Sequence, residues 1–174
     1  MRHLAVQALT REGFAAFGDV VQLEGASRHV INGGQAIRYH DLARIDVRAD
    51  GGYPLVNIFR TKPCTLPFAI TRLESHPLGS QLFMPLQQMP FLVVVALPGE
   101  LDPEMVCAFV TCGLQGVNYA RGVWHHPLLA LEQMSDFLVI DRGGGGDNLI
   151  EQDLPEPLWI TQSGIATCAL DEPK

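Results

Sequence analysis

Charge is scarce in this sequence of 174 residues: Asp, Glu, Lys and Arg make up 18%, against 47% hydrophobic residues. A disordered chain needs the reverse balance, so that class is excluded, and there is enough apolar material for one compact core. Basic residues are scarcer than acidic ones, 12 against 19, for a net charge of −7. A nucleic-acid binder shows a basic patch, which this composition argues against. Long apolar runs are missing too. The longest, Phe91-Leu-Val-Val-Val-Ala-Leu97, falls far short of the ~20 residues of a membrane helix. The first ten residues hold no apolar region of signal-peptide type.

Cysteine is limited to Cys64, Cys107, Cys112 and Cys168, none in a C-x-x-C pair or a recognisable zinc spacing. The chain is not Cys-dense as disulfide scaffolds are, so four reduced thiols in a cytoplasmic protein are expected. There is no Gly-x-Ser-x-Gly nucleophile elbow and no Rossmann fingerprint, hence no expected nucleotide cofactor. The run Gly143-Gly-Gly-Gly-Asp-Asn148 follows a strand but opens no helix, which disfavours a phosphate cradle.

What the chain does have is turns and short strands. Seventeen Gly and twelve Pro punctuate it. Strand patterns fall at Asp19–Leu23, Leu55–Arg60, Leu66–Glu74, Gln81–Leu86, Phe91–Leu97, Gly116–Trp124, Leu128–Gln133 and Ser135–Asp141. Two short helices are expected, Thr10–Gly18 and Asp102–Gly113, each with a capping side chain at its start and Gly at its stop. From Glu24 to Arg38 the chain reads as polar loop, tightest at Asn32-Gly-Gly34. About eight short strands with tight turns predict a mainly β protein, an antiparallel barrel or sandwich. Residues 1–161 are expected to form one domain, and 162–174 a loose tail.

Two clusters can carry chemistry. In Glu74-Ser-His76-Pro-Leu-Gly-Ser-Gln81, Glu74 and His76 are two apart and share one face of a strand. In Arg121-Gly-Val-Trp-His-His126 the adjacent His125 and His126 point oppositely, so at most one faces an interior. Glu74, His76, Gln81 and His125 together offer two imidazole nitrogens and two oxygens, a set that suits a borderline divalent metal. The competing reading is a structural histidine pair and a solvated Glu74. Arg38-Tyr-His40-Asp41 could be a binding patch or an ordinary loop. Arg60 could reach into a pocket or lie on the surface. Asp141-Arg142 reads as a turn.

The two clusters resemble the paired motifs of the cupin superfamily. Here Glu74 stands where that family has His, Gln81 where it has Glu, and Ala120 where it has Pro. A narrower resemblance, over roughly residues 14 to 160, is to the ureidoglycolate lyase family, called hydrolases in older naming. It is carried by Phe17-Gly-Asp-Val20, Ile31-Asn-Gly33, Arg38-Tyr-His-Asp-Leu42, Leu73-Glu-Ser-His-Pro-Leu-Gly79, Phe91-Leu-Val-Val-Val-Ala96, Gln115-Gly-Val-Asn-Tyr119, Gly122-Val-Trp-His-His-Pro127 and Asp136-Phe-Leu-Val-Ile-Asp-Arg142. That resemblance implies a cupin-like jelly-roll barrel and a cytoplasmic homodimer. It implies cleavage of (S)-ureidoglycolate to glyoxylate and urea in allantoin and purine breakdown, with dependence on nickel, zinc or manganese. His76, His125, Gln81 and Glu74 become the candidate metal ligands, and Glu74 the alternative general base. Arg60 and then Arg38 are candidate clamps for the substrate carboxylate. Tyr119 and His126 are candidate proton donors. Two further readings stand: a different metal-dependent cupin, an isomerase or dioxygenase acting on a small carboxylic acid, and a non-catalytic cupin that binds such an acid.

Overall fold

The computed structural model describes residues 1–166. In chain order the elements are β1 (Arg2–His3), β2 (Val6–Ala8), α1 (Arg11–Phe14), β3 (Gly18–Val21), β4 (Ser27–Ile31), β5 (Ala36–His40), β6 (Tyr53–Thr61), β7 (Phe68–Ser75), β8 (Gln81–Pro85), β9 (Phe91–Ala96), β10 (Cys107–Val110), β11 (Gly116–Tyr119), β12 (Trp124–His125), β13 (Leu129–Ala130), β14 (Ser135–Gly143) and β15 (Ile150–Ile160). One large sheet runs β1-β15-β7-β12-β9-β10-β2, with β13 also on β9. A second runs β3-β11-β8-β14-β6, and β4 and β5 form a hairpin of their own. This is the mainly β, cupin-like architecture the sequence predicts.

Strand β9 explains how the core is divided. All six of its residues are buried, and alternate side chains leave a strand on opposite faces. Leu92, Val94 and Ala96 enter one cluster with Ile70, Leu73, Trp124 and Leu158, all from the large sheet, which curls over itself. Phe91, Val93 and Val95 enter a second cluster with Phe83, Val117, Tyr119 and Phe137, which fills the space between the two sheets. A β-branched run is what such a two-sided position requires.

Several elements differ from expectation. The first helix is one turn, with the Thr10 hydroxyl accepting from the Gly13 N–H; Gly18 already opens β3. The segment Asp102–Gly113 keeps only a 3-10 turn at Pro103–Met105 before becoming β10. There Ala108, Phe109 and Val110 find partners on both sides, in β9 and β2, and that pairing overrides the capping signals at its ends. Strand β15 is unpredicted; its Pro155 and Pro157 fall in a register shift between Asp153 and Leu158, where the ladder needs no N–H. The expected polar loop from Glu24 to Arg38 is largely the β4–β5 hairpin, turning through Asn32–Gly34. Of the expected tail, residues 162–166 are held: the Ala166 N–H donates to the Val6 carbonyl, and Ile165 packs on the core. The rest lies outside the described residues. Cys64 and Cys107 are free thiols, whereas Cys112 is disulfide-bonded. This corrects the expectation of four reduced thiols; Cys168 lies outside the described residues. Among the described residues no helix is long and apolar enough to cross a membrane.

Gly18 shows how tightly α1 is joined to the second sheet. Its φ is +141°, and a Cβ there would overlap the carbonyl oxygen of Asn118 on β11. Gly18→Ala is expected to destabilise the protein by about 2 kcal/mol or more, from backbone strain plus the clash, read as a lower denaturant midpoint.

Candidate active site

The site is built where β7, β12 and β9 lie side by side. His125 pairs with Glu74 on one side and Val95 on the other. Residues directly opposite in a ladder share a face, so the Glu74 carboxylate and His125 imidazole both project toward the space between the sheets. His76 lies two residues beyond Glu74 and keeps that face. From the opposing sheet Gln81 opens β8 and Tyr119 closes β11, cross-strand partners of each other. Tyr119 lies flat against His125, ring centroids 4.3 Å apart at 17°.

The hydrogen bonds decide which imidazole nitrogen faces inward. His125 Nδ1 lies 3.1 Å from the Val123 carbonyl oxygen and His76 Nδ1 2.6 Å from that of Asn148. A carbonyl can only accept, so both rings hold a proton on Nδ1, and in the neutral ring Nε2 carries the lone pair. His125 Nε2 lies 3.1 Å from Gln81 Oε1 and 3.4 Å from Glu74 Oε1. His76 Nε2 lies 3.8 Å from the same carboxylate oxygen and is buried with no hydrogen-bond partner among the described residues. Four electron-rich atoms therefore converge on one point. Such a cluster is held together by a shared positive charge, either an added proton or a metal ion. Glu74, His76 and His125 offer one ligand atom each, all within 4.8 Å of one another. Imidazoles anchored through Nδ1 on backbone carbonyls are the usual outer support of metal-binding histidines. The residues present thus fit a metal ion.

The electrostatics follow from burial and neighbours. Burial alone would raise the Glu74 carboxyl, but its hydrogen bond to His125 and the charge of that ring outweigh it, and the carboxyl lies below its ordinary value. Burial lowers His76, despite its bond to the Asn148 carbonyl, and also lowers His126. The Tyr119 phenol is raised well out of the physiological range, by burial and then by the Glu74 charge, so it stays protonated. Asp141 is raised, chiefly by burial.

A cavity of about 260 Å³ adjoins the cluster, walled by His76, Gln81, Asp141, Arg142 and Asn148 among others. Sequence reading missed part of this wall. Asn148 holds His76 through its carbonyl and caps the chain through its side chain, which accepts from the Leu78 N–H at 2.8 Å. Asp141 accepts from Asn57 at 3.0 Å. Arg142 is buried and spends its guanidinium on the carbonyls of Ala49, Asp50 and Gly145. It staples two loops rather than facing a ligand. The Asp141-Arg142 pair was expected only to serve a turn; what marks it is its place on β14 opposite the start of β8.

The structure brings Glu74, His76, Gln81, His125 and Tyr119 together and leaves three other candidates apart. His126 points to the opposite face of its strand, as the alternation requires, and packs edge-on against Phe68, centroids 5.6 Å apart. Arg60 forms a two-pronged salt bridge with Asp136 on the exposed surface, at 2.7 and 2.8 Å. Asp136 stands five residues along β14 from Asp141, roughly 17 Å at strand rise, and on that ground Arg60 is not the cavity's clamp. Arg38 projects from the β4–β5 hairpin, opposite His29.

Comparison with known proteins gives this constellation its place. A family model described as ureidoglycolate lyase matches residues 1–161. The chain belongs to the ureidoglycolate lyase family. It is 58% identical over 165 residues to a ureidoglycolate lyase of Burkholderia mallei, covering 95% of this chain and 97% of that one. It is 57% identical over 160 residues to that of Burkholderia cepacia, covering 91% and 90%. It is 53% identical over 148 residues to that of Brucella melitensis, covering 85% and 88%.

Two outcomes follow from this geometry. Tyr119→Phe keeps the stack on His125 and is expected to leave stability nearly unchanged, whereas Tyr119→Ala opens a cavity costing about 3–5 kcal/mol in denaturant unfolding. In chelator, stability is expected to fall as pH drops below 6.5. His76 and His126 are depressed from 6.5 by burial, so the unfolded chain takes up protons first as pH falls, and the stability present above 6.5 is lost below it. Denaturant midpoints between about pH 5 and pH 7 read this directly.

Proposed function

We propose that this member of the ureidoglycolate lyase family cleaves (S)-ureidoglycolate to glyoxylate and urea. Its standing in the family supports the reading, and the convergence of Glu74, His76, Gln81 and His125 carries it. The substrate is a hemiaminal whose central carbon bears a hydroxyl, a carboxylate and the ureido nitrogen. Cleavage removes the hydroxyl proton, forms the carbonyl, breaks the carbon–nitrogen bond and protonates the departing nitrogen. No electron acceptor is needed.

His76, His125, Gln81 and Glu74 would hold a divalent metal, nickel, zinc or manganese. Such an ion supplies charge that makes a neighbouring hydroxyl more acidic and orients a carboxylate. The residues themselves divide the proton work. Glu74, whose carboxyl lies below its ordinary value, accepts the hydroxyl proton as general base. Tyr119, kept protonated by burial, donates to the ureido nitrogen, and the proton on Glu74 then returns to Tyr119. The Asn148 and Val123 carbonyls fix the imidazoles, and Asp141, held by Asn57, lines the wall beside Gln81. The resemblance also implies a homodimer in the cytoplasm.

Purified protein is expected to release urea and glyoxylate in equal amounts from (S)-ureidoglycolate. Removal of metal by chelation should abolish turnover, and one of the three ions should restore it. His76→Ala and His125→Ala are expected to lower kcat/KM by about 100-fold or more, on the scale of losing a metal ligand or a general acid–base group. Full turnover by both variants would remove these residues from the mechanism. Chelator-insensitive activity would leave Glu74 and Tyr119 to act without a metal.

A further inference from the structure

A substrate carboxylate needs a cation with free N–H groups. Of the described residues lining the cavity beside His76, only Arg142 carries a guanidinium, and three backbone carbonyls occupy it. The chain does carry an uncommitted guanidinium in an unusual place. The β4–β5 hairpin pairs with neither large sheet, and a lone two-stranded hairpin is marginal in water. Its register makes it two-faced. Val30 lies directly across from Ile37, and Arg28 from Tyr39; Val30 is 71% and Ile37 53% exposed. The other face carries His29 across from Arg38 and Ser27 across from His40. Among the described residues no side chain pairs with the Arg38 guanidinium.

A second unpartnered apolar surface lies on β6, the edge of the smaller sheet. Val56 is 70% and Ile58 58% exposed, with Leu55 and Phe59 also exposed. An open apolar edge strand invites another segment to pair with it. The position matters as much as the chemistry. Leu55 pairs with Asp141, and Asn57 bonds to it, so the first half of β6 runs beside the cavity wall.

We propose that the hairpin is an arm that lies on β6 of a second copy of this chain and places Arg38 at that copy's cavity, to grip the substrate carboxylate with its two-pronged head. This rests on the lyase reading for the substrate. One chain exposes both halves of the contact, and two-fold pairing covers both at once, each arm on the other's β6. Five residues per strand give the arm a reach of roughly 17 Å. Val30 and Ile37 meet the apolar edge, and Arg38 brings the positive charge that the cavity, with Asp141 on its wall and Glu74 next to His76, lacks in a usable form.

Two singly inactive variants test this. Arg38→Ala and His125→Ala, each alone, are expected to lose at least about 50-fold in kcat/KM, a loss of the size seen when a charged clamp or a ligand is removed. Co-expressed with different tags and purified through both, the mixed dimer is expected to regain about half of wild-type turnover, because one of its two sites then holds His125 from one chain and Arg38 from the other. An Arg38→Ala enzyme of wild-type activity, or a mixed dimer as inactive as its parents, overturns the proposal, since an arm serving its own chain leaves both mixed sites broken. Sedimentation gives a second reading that needs no turnover. Wild type is expected to run as a dimer and Val30→Asp/Ile37→Asp as a folded monomer. A monomeric wild type, or a variant still dimeric, also overturns it. Wild-type protein that dimerises through the arm but releases no urea from (S)-ureidoglycolate would sink the substrate reading and with it the role of Arg38.

Discussion

The arrangement depends on one strand pairing. Two-residue β12 is held between β7 and β9, so His125 is flanked by Glu74 and Val95 and is 1% exposed. That placement sets the ring's face, forces Nδ1 onto the Val123 carbonyl and leaves Nε2 toward the carboxylate. Tyr119 closes the other side by stacking. If the pairing slipped by one residue, His126 would face inward and His125 outward, because side chains alternate. The apolar clusters on both faces of β9 hold the register that prevents this.

The site is therefore positioned by packing and charged by geometry. Burying electron-rich atoms together costs free energy unless a positive charge joins them. Here Glu74, Gln81 and two imidazoles face one another near the interior between the sheets, and among the described residues His76 Nε2 has no hydrogen-bond partner. The surrounding fold contributes stability that the site itself does not. Phe91 and Phe137 meet edge-on at 5.0 Å, both fully buried, on the scale of a few kcal/mol each. Such a core can hold a polar cluster that would not hold itself.

Much of this was legible in the sequence where the signal is local. The i, i+2 spacing of Glu74 and His76 and the opposed His125 and His126 needed only the two-residue period of a strand. The apolar run of β9 announced a doubly buried position. What escaped was set by distant partners. Cys107–Val110 carries helix caps nearby, yet strands on both sides claim it. Strand β15 hides two prolines in a register shift. Arg60 looked available because its partner, Asp136, is brought opposite only by the β6–β14 register. Arg142 looked like turn chemistry, whereas it holds two loops in place. Ser27–His40 is polar and turn-rich, so nothing local marked it as a hairpin with one apolar face.

The central claim is that His76 and His125 present Nε2 lone pairs to one common cation. Nitrogen-15 NMR of the six histidines reads it most directly, in chelator and after titration with zinc, which is diamagnetic. Nδ1 is expected to be protonated in both rings at neutral pH, with the Nε2 signals of His76 and His125 moving together on metal addition and that of His126 unchanged. Nδ1 unprotonated in either ring, or a response confined to other histidines, would contradict it.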